Sequence, residues 1–123
     1  MGKSAEVKWL AAPEEHDYPA AESYLSLIFQ GDVAKAQAAN LRLAPIVLFK
    51  AKDIFRASGL TLLGVSNSHV AKDQRKIESG HDLSPLLVVR DPSGGRVIIA
   101  DGYHRLCAVY SIDEDALILC KIV

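Results

Sequence analysis

A small α/β domain, of the α+β kind with a mixed sheet and flanking helices, is what this sequence predicts. Three observations carry that expectation. Short runs of apolar and β-branched residues stand at 46–49 (IVLF), 86–90 (LLVVR) and 116–123 (ALILCKIV); their length suits strands better than helices. Segments with helical spacing lie between them. Turn and cap residues (Gly31, Pro45, Gly59, Asn67, Gly80, Gly94, Gly95, Gly102) separate the two kinds.

The elements follow in order. Residues 1–17 are polar and irregular apart from Trp9 and Leu10, and read as a loose N-terminal arm. Pro19 suits the first turn of a helix over 19–30, with Tyr24, Leu25, Ile28 and Phe29 as its apolar stripe. Asp32 then caps an alanine-rich helix that Pro45 stops after Leu43. The run at 46–49 reads as a buried strand, and 52–57 as a short helix closed by Gly59. Residues 60–65 are apolar and ambiguous. The cluster Ser66-Asn67-Ser68 opens a helix to Ser79, with Gly80 at its end. Two strands at 86–90 and 96–100, joined by Asp91-Pro92-Ser93-Gly94-Gly95, form a hairpin. Asp101-Gly102 ends the second, a helix covers 103–111, and 116–123 is the closing strand. The whole is one domain, 1–123: the arm, a helical extension over 18–45, and a core over 46–123.

Composition narrows the function. Half the residues are hydrophobic and 24% are charged, which is ordinary globular usage. Fourteen Lys and Arg against fifteen Asp and Glu leave a net charge of −1, so no global field draws in nucleic acid. Anion binding, if present, must be local. No apolar stretch approaches the roughly 20 residues of a membrane span. The N-terminus lacks a signal-peptide core, and Glu6 stands where myristoylation wants Ser or Thr. Two cysteines, Cys107 and Cys120, are too few for a disulfide framework. A cytoplasmic, reduced protein without a membrane partner is the expectation.

The chemistry concentrates in Asp101-Gly102-Tyr103-His104-Arg105. A helix that starts directly after a strand presents unpaired amides and a positive partial charge, a natural phosphate site. Gly102 lets backbone approach a ligand without a Cβ. His104 and Arg105 place two potential cations where the helix dipole opposes them, an arrangement an anion would relieve. Asp101 suits a general base, a metal-facing carboxylate or the cap of the last helix. Tyr103, Leu106, Cys107 and Tyr110 share one helical face, which makes Cys107 a core residue, and no metal site is expected from the two cysteines. On the helix after Asn67, Lys72, Arg75 and Lys76 form either a solvated face or a set that neutralises phosphates at the loop. His69 near its start is a further donor or a surface residue.

These residues resemble the ParB/sulfiredoxin superfamily. The likeness runs over about 66–123: Leu83-Ser84-Pro85-Leu86-Leu87-Val88-Val89, a hairpin, Ile99-Ala100-Asp101-Gly102-Tyr103-His104-Arg105-Leu106-Cys107-Ala108, and a closing strand. The matching sulfiredoxin loop, Gly-Gly-Cys-His-Arg, binds ATP phosphates and supplies a nucleophilic cysteine. The resemblance implies phosphate contacts for Gly102, His104 and Arg105 and a nucleotide contact for Lys72; the Tyr103 backbone amide joins them as a candidate ligand contact, and Asp101 and His104 are the candidate catalytic residues. ATP or CTP with Mg is the implied cofactor, and a phosphorylated small molecule or nucleotide the implied partner. Two departures redirect it. Tyr103 fills the cysteine's slot, so sulfinic acid reduction is not expected. ParB loops bind CTP and precede a DNA-binding helix-turn-helix, whereas this sequence ends at Val123, so DNA binding by this chain alone is not expected. The expectation is a phosphate-ligand binder, acting as a nucleotide-dependent phosphotransferase or hydrolase or as a non-catalytic module. The segment 18–45 would then cover the pocket or make a homo-oligomer contact.

Overall fold

A computed structural model describes residues 6–123. Strand β1 (Lys8–Trp9) leads to helices α1 (Asp17–Leu25) and α2 (Gly31–Leu43). Strand β2 (Val47–Lys50), α3 (Ala51–Ser58), α4 (Ser68–Glu78) and β3 (Asp82–Leu83) follow. The last third is β4 (Leu86–Asp91), β5 (Arg96–Asp101), α5 (Tyr103–Ile112) and β6 (Leu117–Ile122). This is the predicted α+β architecture, with helices on both sides of a mixed sheet.

Four strands form that sheet in the order β2-β6-β4-β5. β4 and β6 run parallel, and the two outer pairs are antiparallel. The β4–β5 hairpin closes as its residues dictate. The Asp91 carboxylate accepts from the Gly94 amide and the Ser93 hydroxyl, and Gly95 takes φ +67°. The two ends of α4 are equally local. The Asn67 side chain accepts from the amides of His69 and Val70 at 3.0 and 3.2 Å. At the far end, Gly80 sits at φ +78°, its amide donating to Ile77 and that of His81 to Lys76, which is a Schellman closure.

The sheet has two buried faces. Leu86 and Val88 of β4 point toward α3, α4 and α5, with Ile99, Ile118 and Cys120 beside them. Leu87 and Val89 point the other way, with Ile98 and Ala100, onto Tyr18, Ala21 and Leu25 of α1 and Ala34 and Leu41 of α2. Residues 18–45 are therefore a layer of the domain core and not an appendage to it.

Four elements differ from expectation. The arm is not loose where it is described: β1 pairs in parallel with β3, Leu10 donates to the Leu83 carbonyl, and Glu14 donates to the Ser84 hydroxyl. Residues 1–5 lie outside the described residues. Helix α1 ends at Leu25, and Tyr24 and Ile28 stay exposed, because its buried stripe is Tyr18, Ala21 and Leu25. Asp32 does not cap α2; Gln30 holds that position, and the Asp32 carboxylate accepts from the next amide, Val33. β2 is an edge strand, with Leu48 and Phe49 exposed, because only β6 pairs with it. No helix among the described residues is long and apolar enough to cross a membrane.

Replacing Leu25 with Ala is expected to cost about 2–5 kcal/mol, the range for a buried leucine, in a single cooperative urea transition. A near-zero cost would mean that α1 does not belong to the core. Asn67→Ala, read the same way, should cost about 1 kcal/mol through the lost cap.

Candidate functional site

The candidate loop lies where β5 ends and α5 begins. Gly102 is the N-cap residue of α5 at φ +109°, a region that L side chains rarely adopt. It is also crowded. A Cβ there would fall 2.7 Å from Leu86 Cγ and 2.9 Å from Arg105 Nη2. Gly102 thus does two things: it turns the chain from strand to helix, and it lets the Arg105 guanidinium fold back over the helix start. No side chain caps α5. Its first-turn amides have no partner within the helix, which is the condition that favours an anion.

Asp101 does not fill that role. Its carboxylate accepts from Arg105 Nη2 at 3.0 Å, one helical turn further on. The same nitrogen lies 3.8 Å from Asp17 Oδ2, at the start of α1. Asp17 is 3% exposed, and the Ser84 hydroxyl donates to its carboxylate. Four residues from distant parts of the chain therefore meet: Asp17, Ser84, Asp101 and Arg105. Burial raises the Asp101 carboxyl above the usual carboxylate range and outweighs the lowering by Arg105; the Asp17 charge pushes the same way as burial. The Arg105 Nε is buried and has no hydrogen-bond partner.

His104 lies on the other side of the helix start. Its ring centroid is 4.8 Å from that of His69, in the first turn of α4, and 5.6 Å from Tyr103. Desolvation lowers its pKa below the usual histidine value, helped by His69 and Arg105 and opposed by Asp73. The Tyr103 hydroxyl donates to the Thr61 carbonyl, and burial raises its pKa. The site therefore has two sides: an imidazole pair beside the open amides, and a guanidinium held by carboxylates.

Lys72 is exposed on α4, and among the described residues no hydrogen bond or ion pair joins it to residues 101–105. Asp73, on the next position, is the α4 carboxylate whose charge acts on His104, opposing the lowering by His69. Cys107 is buried beneath Tyr103 with its thiol pKa raised, and burial pushes the Cys120 thiol up to about 11. Neither is a ready nucleophile. Among the described residues no group of three His, Cys, Asp or Glu could hold a metal ion. Two sizeable cavities lie elsewhere, about 520 Å³ beside Lys52, Phe55 and Leu62 and about 440 Å³ between α1 and α2.

Sequence reasoning did not place Asp17, Ser84 or Asp73 at the site. Asp17 and Ser84 reach it through tertiary packing, and no local pattern signals that. Asp73 carried a signal, since i, i+4 spacing places it on the His69 face of α4. Comparison of the chain with protein-family models, with curated proteins and with solved structures finds no match to any of them.

Two measurements test this geometry. Gly102→Ala should destabilise the fold by roughly 1–3 kcal/mol from backbone strain alone, with a further loss from the contact with Leu86. His104 should titrate below the ordinary histidine value by NMR, and His69→Ala should raise its midpoint part of the way. Because the unfolded chain binds the proton more tightly, the His104 contribution lowers stability as pH falls below about 6.5.

Proposed function

We propose that this domain binds a phosphorylated small molecule at the N-terminus of α5. The observation that carries the reading is the uncapped first turn, opened by Gly102 at φ +109°, with the His104 and His69 rings meeting beside it. Phosphate oxygens would accept from the Tyr103 and His104 amides and from imidazole N–H groups. The ParB/sulfiredoxin resemblance favours a nucleotide, ATP or CTP, as the ligand. The order hairpin, Gly-containing loop, helix, closing strand supports that likeness.

Magnesium would arrive with the phosphates. The carboxylates near the loop suit it poorly, since Asp101 is bound to Arg105 and no ready set of three ligands stands among the described residues. That is ordinary for Mg²⁺, which keeps most of its water and uses few protein ligands. Binding without turnover is the form the geometry favours. A general base needs a free lone pair near the substrate proton, and one Asp101 oxygen is committed to Arg105. His104 is the better candidate for proton transfer if turnover occurs. Lys72, exposed on α4, would be a further cation for a polyphosphate tail.

Thermal unfolding with ATP, CTP and pyrophosphate, each with and without Mg²⁺, tests the reading. Ligand at about 100 times its Kd adds about 2.7 kcal/mol, which for a chain of this size raises Tm by on the order of 10 °C. Phosphate release in the same mixtures separates an enzyme from a binding module. No stabilisation at millimolar ligand would remove the proposal. An anion also raises the depressed His104 pKa, so binding takes up a proton and tightens as pH falls from 8 to 6. Sulfate, ionised throughout that range, isolates this effect, and His104→Ala should abolish it.

A further inference from the structure

A carboxylate that is 3% exposed needs an answering charge or donors, and Asp17 finds both at the phosphate-binding loop. Arg105 already has a closer partner in Asp101, at 3.0 Å against 3.8 Å for Asp17. Two carboxylates thus face one guanidinium, and Asp17 is the one in excess. It comes from α1, far away in sequence, and is held by the Ser84 hydroxyl, which in turn accepts from the Glu14 amide. His16 Nε2 lies 3.3 Å from its other oxygen.

We propose that Asp17 is an autoinhibitory contact: its carboxylate occupies the anion position that Arg105 would otherwise offer to a phosphate. The inference rests on the phosphate reading above and adds its regulation. Arg105 folds over Gly102, with Nη2 2.9 Å from where a Cβ would stand, so the guanidinium lies against the start of α5, where an anion would dock. Its Nε is buried without an acceptor, so the donor set around the guanidinium is incomplete with Asp17 and Asp101 alone. A phosphate offers three oxygens, enough to take that donor and the amides together. To do so it must displace Asp17, whose charge repels it. Displacement frees Asp17 and loosens the Glu14–Ser84 tie. Occupancy of the loop is in this way transmitted to the start of α1 and to the arm before it.

The test is pyrophosphate titration of the full chain by calorimetry, wild type against Asp17→Asn. Asn keeps the shape and removes the charge. The variant should bind about tenfold tighter, the size of one nearby, partly screened charge. Glu22→Gln, the same charge change elsewhere on α1, should leave affinity unaltered. Should Asp17→Asn fold poorly by circular dichroism, amide exchange in the wild type takes its place: saturating pyrophosphate should speed exchange of the Glu14 amide. Equal affinity of wild type and Asp17→Asn, or unaltered Glu14 exchange at saturation, overturns the autoinhibitory contact and leaves the phosphate site standing. Absence of binding by both proteins overturns the phosphate site itself and this inference with it. Binding by Asp17→Asn alone is the strongest support.

Discussion

The burial of β4 on both faces is the constraint from which the other features follow. Leu86, Leu87, Val88 and Val89 are each at most 2% exposed, so neither side of the strand can face water. One layer, α3 with α4 and α5, covers Leu86 and Val88; a second, α1 with α2, covers Leu87 and Val89. At about 25 cal/mol per Å² of apolar surface removed from water, each of these side chains contributes on the order of 1.5–3 kcal/mol. The second layer brings the start of α1 against the loop after β5. Asp17 meets Arg105 as a consequence of how the sheet is covered.

That meeting gives the start of α5 a divided character. On one side the amides are open and two imidazoles lie together, with the His104 pKa lowered by burial and by His69. On the other, Arg105 is neutralised by Asp101 and faces Asp17 as well. Arg105 is therefore both a positive group near a helix N-terminus, where the dipole disfavours it, and the charge that makes one buried and one partly buried carboxylate tolerable. Its two roles oppose one another, and an arriving anion would shift the balance between them. Gly102 is what lets the guanidinium reach this position, since any Cβ would collide with it and with Leu86.

Much of this was legible in the sequence where the signal is local. Asn67 before a helix, Gly80 after it, Asp91-Pro92-Ser93-Gly94-Gly95 between two apolar runs and Gly102 ahead of a helix each specify a backbone turn within a few residues, and each forms. The α+β class followed from those signals together. What was not legible depends on packing across the chain. A strand of four apolar residues reads as buried, yet β2 lies at the sheet edge, because periodicity says nothing about which strands become neighbours. The residues before α1 read as loose because two-residue β1 gains its order from β3, more than seventy positions away. At the site, Gly102, Tyr103, His104, Arg105 and Asp101 are together because they are consecutive, whereas the pairing of Arg105 with Asp17 needed the fold. Lys72 shares the helix of His69 but stays in solvent, and the charges that act on His104 from that helix belong to His69 and Asp73.

Where an anion rests is the central claim, and amide chemical shifts report it most directly. In a ¹⁵N–¹H titration of the full chain with inorganic pyrophosphate, the largest shifts should fall on the Tyr103, His104 and Arg105 amides, with His69 following. Shifts confined to the exposed cations of α4, or spread evenly over the surface with the α5 amides unmoved, would contradict it.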